Sequence, residues 1–491
     1  MKTCIIVLAA AASAAAAFGQ QRVQPKRAEV REVLAIRAAA GEQRDAALDQ
    51  ESLRRMRAGD EFIVAMEDET RLARVDRLER RSATSYSVFA RLDDDPEARV
   101  ILSSVNGVVA GTIRSPAQRM QLALRTRPDG TLVARPIAKI VDDECGTETD
   151  RGRRFPSPAQ DADADSEGGA AATTALDNCS DQPTVTYDVL VLYTVTARDE
   201  AGGTDQMLAE IQLAVDTTNQ AYEDSFQGLR ARLVFAYGTE YAESIDHEAD
   251  RDNLADPDDG LMDNAHGFRD LYGADFVVLI VGDVNDGCGI AFCTPSGSGE
   301  GFCVVKRSCA SDNWTFAHEI GHLQGLAHNR EDAGTGCNHD CYSYGHRFTG
   351  DDGVGYRTVM SYDNDAQEFE RIGIFSNPYV FWQGVACGES WGDCDDDEFN
   401  VQTMSNTAFS RENWRNPKFN VWIGFDFVGK ERGTYVSPWN TLAEGQTALF
   451  EGDAPDYSPP QIWLMGGTTG ETLTLDKRMT VRACGTATIG Q

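Results

Sequence analysis

One stretch constrains this chain more than any other: residues 318–328, His-Glu-Ile-Gly-His-Leu-Gln-Gly-Leu-Ala-His. His318 and His322 stand four apart, so a helix through them puts both imidazoles on one face, where they can share a cation. Gly325 permits a backbone conformation that side chains disfavour, and with it a turn out of the helix. That turn brings His328 round as a third donor. Any fold this chain adopts must therefore end a helix at Gly325 and gather three imidazoles around one point. Three histidines with an open fourth position describe a catalytic zinc site, whereas four protein ligands close a structural one. Glu319, beside the first ligand, stands where a base would handle the water that such an ion activates. The chain has seven histidines, and three of them sit here at the required spacing.

Downstream lie Thr358-Val359-Met360-Ser361-Tyr362 and Ile374-Phe375-Ser376-Asn377-Pro378. With these two segments the pattern resembles the metzincin clan of zinc endopeptidases, whose long zinc motif is followed by a methionine turn. The second segment looks like the wall that follows this turn in reprolysin-like members. The nearest resemblance is to the bacterial peptidyl-Asp metalloendopeptidases, and it covers roughly residues 184–412. It implies that His318, His322 and His328 hold one catalytic Zn2+ and that Glu319 is the general base. It makes Met360 the floor of the site and Tyr362 a second catalytic group, through zinc or the oxyanion. It also implies cleavage before Asp, which needs a basic pocket, and Arg357 and Arg371 flank the turn as candidates. One residue departs from the pattern: Asn329 follows the third histidine, where many reprolysin relatives carry Asp.

The fold expected is α/β, in the α+β metzincin form. A twisted, mostly parallel sheet carries an antiparallel edge strand and the active-site helix; a β-rich propeptide precedes it and a small β module follows. A length of 491 residues accommodates that division. Residues 1–19 read as a signal peptide: Lys2 supplies the positive start, residues 5–17 the apolar run, and Ala17-Phe18-Gly19 the cleavage site. Residues 20–178 are the expected propeptide and acidic flexible linker, 179–417 the protease domain, and 418–491 a β-rich module like the opening coils of a parallel β-helix. No later segment is long enough to span a membrane, so the protein is expected to be secreted, soluble and monomeric. Against 45 Lys and Arg stand 78 Asp and Glu, a formal net charge of −33. That balance argues against nucleic acid as a partner and leaves protein or peptide substrates.

Within the propeptide, residues 27–57 read as helical or extended and heavily solvated, while residues 84–140 alternate as strands do. In related zinc proteases a propeptide Cys-Gly ligates the zinc through its thiolate, so Cys145-Gly146 is a candidate zymogen switch. Cys4 leaves with the signal, and setting Cys145 aside leaves ten of the twelve cysteines, an even number expected to pair in an oxidising compartment. Spacings such as Cys288/Cys293, Cys303/Cys309, Cys337/Cys341 and Cys387/Cys394 allow short loops without fixing the pairing. Arg151-Gly152-Arg153-Arg154 is a candidate processing site.

In the protease domain, residues 187–193, 232–237 and 275–281 read as strands. Thr204 caps a helix with Met207, Ile211, Val215 and Tyr222 on one side. Residues 301–305 are expected as the edge strand that holds an extended substrate. Trp314, Phe316 and Ile320 bury the back of the zinc helix. His247, His266, His339 and His346 read as packing or surface residues. The Asp-rich runs at 256–259 and 393–398 admit Ca2+, though without EF-hand spacing. Two other readings compete: a surface- or matrix-binding protein with an inert zinc site, and a zinc amidase. An inert site has no need of Glu319, and an edge strand favours an extended peptide.

Overall fold

The computed structural model describes residues 31–37, 43–66, 69–138, 185–282, 287–333, 338–363, 368–389, 392 and 394–490. The expected signal peptide, Cys145, the linker and the processing site lie outside these residues.

The first body is a closed barrel of nine strands: β1 (Glu32–Arg37), β2 (Arg44–Leu48), β3 (Glu61–Met66), β4 (Glu69–Arg80), β5 (Tyr86–Leu92), β6 (Asp95–Val105), β7 (Val108–Ser115), β8 (Met120–Thr126) and β9 (Leu132–Pro136). Every neighbouring pair is antiparallel except β1 and β3, whose parallel pairing closes the barrel. Closure removes the free edges that an open sheet would expose. The expectation of a heavily solvated segment at 27–57 is corrected here. Val33, Leu34 and Ile36 of β1 are buried in the barrel core with Leu53. The flanking arginines and glutamates had masked a four-residue apolar run, which a stave buried on one side and covered on the other requires.

The second body carries a five-stranded sheet in the order β11 (Leu229–Gly238), β10 (Val185–Tyr193), β12 (Phe276–Val281), β14 (Phe302–Lys306) and β13 (Gly289–Ala291). The first four run parallel and β13 runs antiparallel to β14. β12 is buried throughout, as a central strand covered on both faces must be. The edge beside the active-site helix is therefore β13, not residues 301–305. Those residues form the strand one place in, and their unbroken apolar character fits an interior position.

Helix α1 (Thr204–Asp224) lies across this sheet. Gly203, at φ 136°, is its cap; Thr204 is the first helical residue and makes no capping bond. Met207, Ile211, Val215 and Tyr222 face the core, but Gln212, Asp216, Thr217 and Asn219 on the other side are buried too. Asn219 exchanges hydrogen bonds with the Ala231 main chain of β11, and the barrel covers the Asp216 side. Ser87 and Ser103 donate to Asp216, Arg99 pairs with Asp224 at 2.7 Å, and Phe89, Ile101 and Val105 join the core beneath. Further along, Arg125 and Arg135 pair with Asp312 at 2.7 and 2.9 Å, and Arg114 donates to the Ser311 and Asp312 carbonyls. The barrel contributes most of the cations of this interface and the second body most of the anions.

Helix α2 (Thr315–Leu323) carries the histidine motif, and α3 (Asn400–Glu412) follows the last turns of the domain. The chain then forms a three-stranded parallel sheet, β20 (Asn420–Ile423), β21 (Gln461–Leu464) and β23 (Thr480–Ala483), with a small apolar core of its own. The hairpin strands β15 to β19 (Arg347–Thr349, Gly355–Arg357, Glu370–Arg371, Asn377–Trp382 and Val385–Cys387) lie between α2 and α3, and β22 (Gly467–Thr469) pairs with β24 (Ala487–Ile489).

The expectation of disulfides is met, but not for all ten cysteines. Cys288 pairs with Cys309 and Cys341 with Cys394, while Cys303 and Cys387 are buried free thiols. Cys293 and Cys484 are also oxidised in disulfides. Bonding needs Cα atoms about 4.4–6.8 Å apart with Cβ vectors converging, and chain separation says little about that once strands intervene. The first bridge ties the approach to β13 to the loop before α2.

Candidate active site

The geometry of the site follows from how α2 begins and ends. Trp314 sits at its N-terminus in the left-handed region, φ 54°, and the barrel's Arg114 guanidinium lies 3.5 Å from its ring centroid. Phe316 and Ile320 are fully buried, so the back of the helix is fixed in the core. At the other end Gly325 adopts φ 94°, and a Cβ there would come 2.8 Å from His339 Cβ. Only glycine fits that exit on both counts.

The exit brings His328 back beside the two helical histidines. His318 Nε2 stands 3.1 Å from His322 Nε2 and 3.2 Å from His328 Nε2, and the last two are 3.0 Å apart. Main-chain partners set the tautomers. His318 Nδ1 donates to the Val359 carbonyl at 2.9 Å and His322 Nδ1 to Leu326 at 2.8 Å, while His328 bonds to the main chain of Asp332. A carbonyl oxygen only accepts, so the proton sits on Nδ1 and the Nε2 lone pairs face one another. Burial, then the neighbouring imidazoles, hold His318 and His328 well below the usual histidine range, and burial brings His322 down to about 4. All three are neutral donors. A tetrahedral zinc with Zn–N bonds of about 2.0–2.1 Å spaces its ligand nitrogens about 3.3 Å apart, close to this triangle. The donor set fits the ion, and among the described residues it is the one His, Cys, Asp or Glu cluster tight enough to do so.

Glu319 is buried, and its carboxylate lies against β13: a Cβ on Gly289 would come 2.5 Å from Oε1 and 2.9 Å from Cδ. The sequence reading missed Gly289. A glycine inside a strand is a known sign of close approach, but nothing local says to what. Gly321 was missed in the same way; a Cβ there would meet Met360 Sδ at 2.6 Å. Met360 is fully buried beneath the helix, so the two residues are one contact.

The Tyr362 ring lies 4.0 Å from that of His328 and 6.0 Å from that of His318, centroid to centroid. Its N–H donates to Asn329 Oδ1 at 2.9 Å, and Asn329 Nδ2 donates to Glu331 and Asp332 at 2.8 and 2.7 Å. The departure at 329 thus has a local reason: two carboxylates there need the amide's donors.

Arg357 and Arg371 sit beneath the turn, both buried. Each donates to the Ser361 carbonyl, at 2.7 and 3.2 Å, and Arg371 also to Asn313 at 3.1 Å. They line a cavity of about 490 Å³ with Trp314 and Phe369, and the barrel's Arg114 and Ala138 line it as well. The other histidines stay outside the triad. His266 bonds to the Leu254 carbonyl and His346 to Glu398. No carboxylate cluster for Ca2+ forms among the described residues of the two Asp-rich runs, and Asp397 instead accepts from the Gly392 and Cys394 amides.

A sequence profile of the reprolysin-like metallopeptidase family M12B matches residues 184–389. The chain is 36% identical over 207 residues to the peptidyl-Asp metalloendopeptidase of Stenotrophomonas maltophilia strain K279a, covering 42% of this chain and 48% of that one. It is 32% identical over 317 residues to the protein of that name from Xanthomonas campestris pv. campestris, covering 65% and 71%. The chain thus spans from about half to about seven tenths of these relatives' lengths. Metalloproteinase-II of Bacteroides fragilis superposes on 57% of this chain and 85% of its own, at a TM-score of 0.34 and 12% identity.

Proposed function

The chain belongs to the reprolysin-like family M12B of metallopeptidases, and from that premise we propose that it is a secreted zinc-dependent endopeptidase that cuts before Asp. The convergence of three Nε2 lone pairs within 3.2 Å, with Glu319 adjacent on the same helix, carries the reading. His318, His322 and His328 would hold the ion. Zinc supplies Lewis acidity toward a water and a peptide carbonyl when it is bound. The rest falls to the chain's own groups. Glu319 takes the proton of the attacking water on a carboxylate oxygen and returns it to the leaving amine nitrogen. Gly289 allows that carboxylate to lie against the edge strand, where an extended peptide adds to β13 through main-chain hydrogen bonds. Tyr362 is assigned to the carbonyl oxygen as it gains charge.

The Asp preference rests on the names of the relatives and on Arg357 and Arg371, which line one cavity with Arg114 and Arg119, opposed by Asp312, Glu368 and Glu370. The barrel reaches that same cavity and grips the loop before α2, which supports its reading as a propeptide that silences the enzyme. Cys145 as the zymogen switch, Arg151 to Arg154 as the processing site and the division at residues 178 and 417 belong to the same proposal. Mapping the cuts made in a denatured protein mixture, with and without a zinc chelator, tests it. Chelator-sensitive cuts before Asp are expected. Chelator-sensitive cuts elsewhere would discard the specificity, and no cuts from zinc-loaded, barrel-free protein would overturn the activity.

A further inference from the structure

Far from the histidines, a second cavity of about 510 Å³ opens where the barrel, the β11 edge of the sheet and the C-terminal module meet. Its wall reverses the charge of the molecule. In a chain of net charge −33, Arg80 at the end of β4, Arg81 just after it, Arg230 and Arg232 on β11, and Arg482 on β23 all line it, with Glu79 as the one acidic lining residue. Glu79 is already spent, held down to about 2 because Arg230 and Arg77 outweigh the burial that would raise it. Arg232 has one opposite charge near it, Asp188, against two of its own sign, Arg230 and Arg482.

Donors there are left over. Among the described residues, Arg232 Nη1, Arg81 Nε and Ser458 Oγ are buried without a hydrogen-bond partner, and the Ser458 residue is 2% exposed. Arg482 makes no ion pair among those residues; its guanidinium lies 5.3 Å from the Trp463 ring centroid. Buried unpaired donors cost stability unless something accepts from them, and five guanidiniums gathered around one concavity repel one another.

We propose that this cavity binds a tetrahedral oxyanion, a phosphate or sulfate group, free or carried on a small ester. The donors approach from three separate strands, β4, β11 and β23, and from the turn at Ser458. That arrangement suits a group offering three or four oxygens better than a planar carboxylate, which one guanidinium fork satisfies. An anion seated there touches all three bodies at once, so its binding favours the state in which barrel and module are both docked.

The test is calorimetric titration of the full chain with inorganic phosphate, with sulfate and with phenyl phosphate, at constant ionic strength against chloride. Saturable binding of one anion per chain is expected, with a rise in melting temperature. Tighter phenyl phosphate would assign an ester, tighter inorganic phosphate or sulfate the free ion. Arg482→Gln, which removes an exposed arginine outside any ion pair among the described residues, should weaken Kd about tenfold. Ser458→Ala should weaken it less, and Arg478→Gln, outside the cavity wall, should leave it unchanged. Absence of saturable binding to the wild-type chain, or wild-type affinity in both Arg482→Gln and Arg232→Gln, would overturn the proposal.

Discussion

The histidine positions are written in the chain, yet what makes them work sits on residues that carry no chemistry of their own. Gly289 is one. Its missing side chain makes room for the Glu319 carboxylate, so Gly289→Ala should displace that group while leaving the zinc ligands alone. Turnover is expected to fall about 10²-fold with zinc content unchanged; steady-state kinetics beside metal analysis checks it, and full activity would detach Glu319 from β13. Asn329 is another. Replacing its amide by a carboxylate sets three acids together and removes two donated hydrogen bonds. Asn329→Asp should destabilise the chain by about 1–3 kcal/mol at neutral pH, read by denaturant unfolding. The motif could be recognised because its spacing is local. The glycine contacts could not, because the partner of each lies on a distant segment.

At the scale of elements, parallel strands announce themselves by continuous apolar runs, which is why β10, β11 and β12 were legible. The edge was misplaced because β13 is three residues long and holds a glycine, too little for a pattern to register. Buried polar groups were also out of reach. Asp188 on β10 and Glu412 at the end of α3 are fully enclosed, and burial pushes them up to about 7 and about 8. Unfolded carboxyls titrate near about 4, so these groups favour the folded state at low pH and oppose it as pH rises through 7 to 8. Thermal stability should therefore fall from about pH 5 to about pH 8.5. Glu412→Gln, which keeps an acceptor for the Thr186 amide, should flatten that decline. A decline as steep in the variant as in the wild type would remove Glu412 from the account.

The whole molecule explains what a helical pattern alone leaves out. The sequence shows one apolar side of helix α1; the barrel docks on another, so Asp216 and Thr217 are interior, and Asn219 is interior through its bonds to Ala231 of β11. The barrel's Arg99, Arg125 and Arg135 likewise find their partners, Asp224, Glu210 and Asp312, in the second body, out of reach of any local sequence pattern. Arg125 meets both Glu210 and Asp312. In a chain cut at Arg151 to Arg154, Arg125→Gln should loosen the barrel about a hundredfold, and high salt should loosen it further. Size-exclusion of the cut chain would measure this, with peptidase activity appearing as the barrel leaves. A barrel that stays bound with equal affinity would show that its charges do not hold it.

The proposed hydrolysis turns on one residue, Glu319, beside one metal. Glu319→Gln, freed of its barrel and analysed for zinc and peptide hydrolysis together, tests it most directly. One zinc per chain with turnover reduced about 10³-fold or more is the predicted result. A zinc-loaded variant that cleaves peptides at the wild-type rate would contradict it.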